Sequence, residues 1–95
     1  MIIEFTARHF KAPKQLREYA EKEMNRLTRY FDRITQGQII LAHENNSYTV
    51  EINVSVPNDK LNVKESSDNI TKSIDRAVNT MVTRVKKHKD KLKRY

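Results

Sequence analysis

A chain of 95 residues with no cysteine, a single glycine and 33% charged residues is one lean domain without disulfide staples, thiol chemistry or room for a glycine-rich phosphate loop. Its 37% apolar content includes no run near the roughly 18 residues a membrane span needs, and the N-terminus lacks the pattern of a secretory signal. The net charge of +7 is unevenly placed: residues 1–70 hold ten basic and ten acidic residues, whereas residues 71–95 hold nine basic residues against Asp75 and Asp90 alone.

Residues 2–8 alternate, with Ile3, Phe5 and Ala7 on one side and Glu4, Thr6 and Arg8 on the other, the pattern of a half-buried strand. Pro13 suits the first turn of a helix, where a missing N–H costs nothing. The period then changes to Leu16, Tyr19, Ala20, Met24, Leu27, Tyr30 and Phe31, which predicts an amphipathic helix of roughly four to five turns. Ile39-Ile40-Leu41-Ala42 is apolar on both faces and reads as a central strand. Asn45-Asn46-Ser47 has turn chemistry. Tyr48, Val50, Ile52, Val54 and Val56 then alternate strictly with polar residues, the clearest strand in the chain. Pro57-Asn58-Asp59 reverses direction, and Lys60 to Glu65 forms a short fourth strand with Leu61 and Val63 inward.

Asp68 or Ser67 is the expected cap of the last helix. Its stripe runs through Ile70, Ile74, Ala77, Val78, Met81, Val85 and Leu92, a rod of roughly 36 Å at about 1.5 Å per residue. The order β-α-β-β-β-α predicts an α+β domain over residues 1–95, with two helices on one face of a four-stranded sheet. That arrangement is like the double-stranded-RNA-binding fold, which reads shape and phosphates with little base contact.

Charge acts in binding when one surface gathers it. On a wheel of about 100° per residue, the apolar group of the first helix centres near about 10°, and Lys22, Arg26, Arg29 and Arg33 cluster near about 250°. In the last helix the apolar group centres near about 30°, and Lys72, Arg76, Lys87 and Arg94 fall between about 200° and 260°. Two such ridges side by side would make one concave basic surface, the arrangement that binding to a phosphate backbone asks for. The aromatics (Phe5, Phe10, Tyr19, Tyr30, Phe31, Tyr48, Tyr95) fall mostly at core positions and tryptophan is absent, so structured RNA is favoured over a single strand.

An enzyme is not the expectation. His9, His43 and His88 form no metal-ligand spacing, and no metal or cofactor is called for. Adjacent His43 and Glu44 face opposite sides of a strand. A basic ribonuclease assembling His43, Glu44 and His88 in space stays open as an alternative, as does a free-standing module for duplex RNA.

Tyr30-Phe31-Asp32-Arg33-Ile34, Ile74-Asp75 and the ending His88-Lys89-Asp90-Lys91-Leu92-Lys93 resemble the ribosome hibernation promoting factors of bacteria, over the whole chain and in element order. The resemblance implies a cytoplasmic, non-enzymatic protein that binds the small ribosomal subunit during starvation or stationary phase. It implies contact with 16S rRNA in the channel used by mRNA and tRNA, inhibition of translation and preservation of idle ribosomes. Ending at Tyr95, the chain is similar to the short members, which pair ribosomes together with a separate small basic modulation factor, and it is expected to be a monomer off the ribosome. Carried over by position, the resemblance assigns RNA contact to Arg26, Arg29, Arg33, Lys87 and Lys89. With Lys22, Lys72, Arg76, Arg84, Lys86 and Lys91 these make up the candidate RNA-binding set, within which Arg26, Arg29, Arg76 and Lys87 are expected to carry much of the affinity. The sequence departs from the family where Asn69-Ile70-Thr71 replaces an Asp-Met-Tyr turn, where Thr80 and Thr83 replace basic residues, and at Glu23.

Overall fold

The computed structural model describes residues 1–93; Arg94 and Tyr95, the first placed on the basic ridge above, lie outside the described residues. The elements are β1 (Ile2–Arg8), α1 (Lys14–Asn25), α2 (Leu27–Tyr30), β2 (Gln36–Glu44), β3 (Ser47–Val56), β4 (Asp59–Ser67) and α3 (Ile70–Lys93). They form the expected α+β architecture, a four-stranded sheet in the order β1-β2-β3-β4. β1 pairs in parallel with β2, which requires the helical crossover α1–α2 between them. The other two pairings are antiparallel and are closed by tight turns.

Both turns rest on asparagine. Asn45 and Asn46 have φ of 51° and 63°, the geometry of a two-residue hairpin whose twist matches its strands. Asn58 follows Pro57 with φ of 65°, so proline sets the first turn position and asparagine accepts the left-handed second.

Alternation along the strands divides the sheet into two faces. Ile39, Leu41, Val50, Ile52, Val54, Val56 and Val63 are buried beneath the helices. Ala20, Met24 and Leu27 press down from the first helical segment, and Ile74, Ala77, Val78, Met81, Val82 and Val85 from α3. β2 is a central strand as its composition predicts: Ile40, on the open face, is only 8% exposed, beside Thr6 and Glu51 on the neighbouring strands.

Three local readings change. The first helix covers the expected length but tightens at Arg26, whose N–H bonds Glu23 O at 3.2 Å while Arg29 N–H bonds Arg26 O at 3.1 Å, so it divides into α1 and α2. β4 runs two residues further than expected, to Ser67, because Tyr48 and Thr49 still offer it partners. The cap of α3 is neither Asp68 nor Ser67. Asn69 Oδ1 accepts the Lys72 N–H at 3.0 Å, the bond an N-cap makes to the third helical residue. Ser67 is held back in the strand, its hydroxyl 2.6 Å from that of buried Ser73. Ser73 in turn donates to Tyr48 O at 2.7 Å, which fixes the start of α3 to the start of β3.

Candidate nucleic-acid interface

α1–α2 and α3 lie side by side and run in the same direction. Tyr19 donates to Asp75 near their starts, and the Lys86 ammonium sits 4.8 Å from the centre of the Tyr30 ring near their far ends. The seam between them is what can join the two sets of cations.

The lining of the seam follows from helical spacing. Tyr19, Glu23, Arg26 and Tyr30 recur at intervals of four, three and four, which puts them on one flank. That flank meets Asp75, Lys86 and Lys89 of α3. The Asp75 hydrogen bond and then burial push the Tyr19 hydroxyl up from 10.0 to about 12. Glu23 Oε1 accepts from Arg26 Nη1 at 2.7 Å. This bond, followed by Tyr30, holds the guanidinium above its ordinary value. A hollow of about 300 Å³ opens between Arg29, Tyr30, Lys86, Lys89 and Asp90.

The structure therefore brings Arg26 and Arg29 together with Lys86 and Lys89. Lys22 and Arg33 are exposed, the first one turn before Arg26 and the second in the loop after α2. The ridge expected on α3 points elsewhere. Arg76 reaches Ser66 O of β4 at 3.4 Å, and Thr80, on the same flank, donates to Glu65 at 3.2 Å. Lys72 and Lys87 share that line on the wheel, while Arg84 and Lys91 continue on the β4 side. The single concave surface is thus corrected to a cationic seam and a separate outer strip. The reason is geometric: α3 meets α1 with the flank of Asp75 and Lys86, and adjacent Lys86 and Lys87 lie about 100° apart.

Of the eleven candidate cations, Arg26 alone forms an ion pair among the described residues. Helical cations outside the set are more occupied. Arg17 bonds Glu21 at 2.8 Å and lies 5.6 Å from the centre of the Phe5 ring, and Lys14 stands 3.9 Å from Glu18. The candidate set keeps its charge available to a partner.

Other expectations are also placed. His43 stacks on Tyr48 with ring centres 4.2 Å apart. His88 lies beneath α3 against Phe31, at 5.9 Å, about 22 Å along the helix from Ser73 beside Tyr48. The grouping of His43, Glu44 and His88 considered for a ribonuclease is not brought together. Sequence reading underestimated the aromatics. Among the described residues only Phe31 is a buried aromatic, while Phe5, Phe10, Tyr19, Tyr30 and Tyr48 are half-buried, because they sit at the margins of the apolar stripes.

The described fold has close relatives. It superposes on a ribosomal subunit interface protein from Coxiella burnetii with a TM-score of 0.89 and 28% identity, covering 95% of this chain and 99% of the other. It also superposes on the N-terminal domain of Thermus thermophilus Protein Y with a TM-score of 0.85 and 30% identity, covering 93% and 99%. In sequence it is 26% identical to the ribosome hibernation promoting factor of Escherichia coli K12 over the full length of both chains. It is 25% identical to that of Pseudomonas putida over 96% of this chain and 89% of the relative. Residues 3–93 match the family described as Sigma 54 modulation protein / S30EA ribosomal protein, and the chain belongs to that family.

Proposed function

We propose that this protein is a cytoplasmic ribosome hibernation factor that binds the small subunit through its helical face. It occupies the channel of mRNA and tRNA and stops translation by steric exclusion, with no chemistry of its own. The observation that carries this reading is the array of unpaired cations on the helical layer, centred on Arg29, Lys86 and Lys89 at the seam. Phosphate contacts of this kind supply salt-dependent affinity and fix orientation, leaving specificity to the fit of the rigid body in a ribosomal groove. The names of the relatives support the ribosomal role, and a separate modulation factor would supply any pairing of ribosomes. The protein acts as a monomer.

Sedimentation of the protein with vacant small subunits at two salt concentrations tests this reading. Co-migration should weaken with salt and on addition of mRNA and initiator tRNA. Failure to co-migrate at low salt, or release by generic duplex RNA as readily as by tRNA, would favour a free-standing duplex-RNA module instead.

A further inference from the structure

At the N-terminal end of the same seam the surface changes character. A cleft of about 560 Å³ opens between Phe10, Pro13, Leu16, Tyr19, Tyr48 and Ile70, with Gln15 and Thr71 completing its rim. This volume is in the range of small-molecule pockets, which join apolar walls to a few polar groups. Three of the lining residues are half-buried aromatics. Phe10 meets Tyr48 edge-on at 6.2 Å, and Tyr48 is backed by the stacked His43 ring. Exposed Lys11 lies within the Phe10–Pro13 wall, and Lys14, 3.9 Å from Glu18, follows it.

The cleft and the cationic hollow lie at opposite ends of the seam between the two helices. Tyr19 lines the first and Tyr30 the second, about 16 Å apart at 1.5 Å per residue. One seam thus carries an apolar aromatic end and a charged end, matching the two parts of a nucleotide strand. Every base has a π-face that stacks on aromatic side chains, and its phosphate seeks cations. An apolar protein side chain would fill the cleft equally well, but exposed Lys11 beside the wall and the cationic hollow at the other end of the seam favour a polyanion.

Building on the proposed ribosomal role, we propose that this cleft takes one unstacked base of the small-subunit RNA while the cationic end of the seam holds the backbone of the same RNA. Gln15 and Thr71 supply hydrogen-bonding groups at the rim for the edge of that base.

The test is base-specific chemical probing of 16S rRNA in isolated small subunits, bound by the wild type and by two variants. Tyr48→Leu removes a stacking face, and Thr71→Trp fills the cleft from an exposed position on the first turn of α3. Melting temperature confirms that each variant is folded. With the wild type, at least one single-stranded base should be protected on its Watson–Crick edge. Both variants should lose that protection and bind roughly 5- to 100-fold more weakly, while backbone protections from hydroxyl radicals persist. Base protections that survive in a folded variant would overturn the proposal, as would protection of the backbone alone by the wild type. In both cases the helical-face reading stands, since backbone protection reports on it separately. Loss of backbone protection with the wild type would instead remove the ribosomal reading and this inference with it.

Discussion

The two faces of this domain treat their polar side chains in opposite ways. On the open face of the sheet, side chains answer one another. Asn62 donates to Asn53 at 2.6 Å and to Glu51 at 2.9 Å, Asn53 donates to Gln38 at 3.0 Å, and Gln38 reaches Glu4 at 3.4 Å. That chain of amides crosses all four strands. The charges there also balance, Arg8, Lys60 and Lys64 against Glu4, Glu44 and Glu51. The helical layer carries an excess of cations, and of the eleven candidates only Arg26 has a carboxylate partner among the described residues. A surface whose polar groups are mutually satisfied gains little from a partner, whereas unpaired cations gain counterion release when they meet phosphates. On the proposed function, the first face serves stability and the second recognition.

The largest effect should come from reversing charge at the seam. Arg29→Glu, Lys86→Glu and Lys89→Glu together should weaken binding to the small subunit by at least about 100-fold near 0.1 M salt, with each lost phosphate contact lowering the salt slope by about one. Gradient sedimentation or fluorescence titration reads the loss; near-native affinity would remove the seam from the interface. On the open face the result should invert. Asn53→Ala leaves Gln38 and Asn62 short of a partner and should cost about 1 kcal/mol of stability in urea unfolding, with ribosome binding unchanged. A loss of binding without a loss of stability would show that the amide chain serves recognition.

Tyr19 links the layers of the seam. Tyr19→Phe removes the donor to Asp75 and should cost about 0.5–1.5 kcal/mol at neutral pH. Because the folded value is raised from 10.0 to about 12, the neutral phenol stabilises the fold fully below pH 10, and this contribution is lost between about pH 10 and 12. The wild type should lose stability across that window more steeply than Tyr19→Phe; parallel curves would show that the hydrogen bond does not form in solution. The smallest effect is expected at His88, which is 9% exposed with Nε2 buried and without a hydrogen-bond partner among the described residues. His88→Leu removes an unsatisfied polar atom and should leave the melting temperature equal or slightly higher. A clear drop would mean that the ring has a partner in solution.

Most of the fold was legible because its elements are strongly periodic. Tyr48 to Val56 alternates without a break, and the stripe from Ile70 to Leu92 is continuous, so strand faces, helix faces and element order follow from spacing. The Asn69 cap was not legible, since Ser67, Asp68 and Asn69 are all capping residues and only strand pairing decides which is free. The candidate cations were visible as types, but their grouping depends on the rotation of α3 about its axis. Lys86 and Lys87 are neighbours in sequence, yet one meets Tyr30 and the other lies on the line of Arg76 beside β4. The aromatic cleft was hidden for a related reason: Phe10, Tyr19 and Tyr48 come from three separate segments, and each alone reads as core.

The claim that recognition resides in the helical layer is tested most directly by the salt dependence of binding to vacant small subunits for two variants of equal net charge. One carries Arg29→Glu, Lys86→Glu and Lys89→Glu, the other Arg8→Glu, Lys60→Glu and Lys64→Glu. The slope of log affinity against log salt should fall by about two to three for the seam variant and stay at the wild-type value for the sheet variant, with both proteins folded by circular dichroism. Equal reductions in the two variants would mean that net charge, and not the helical face, carries the binding.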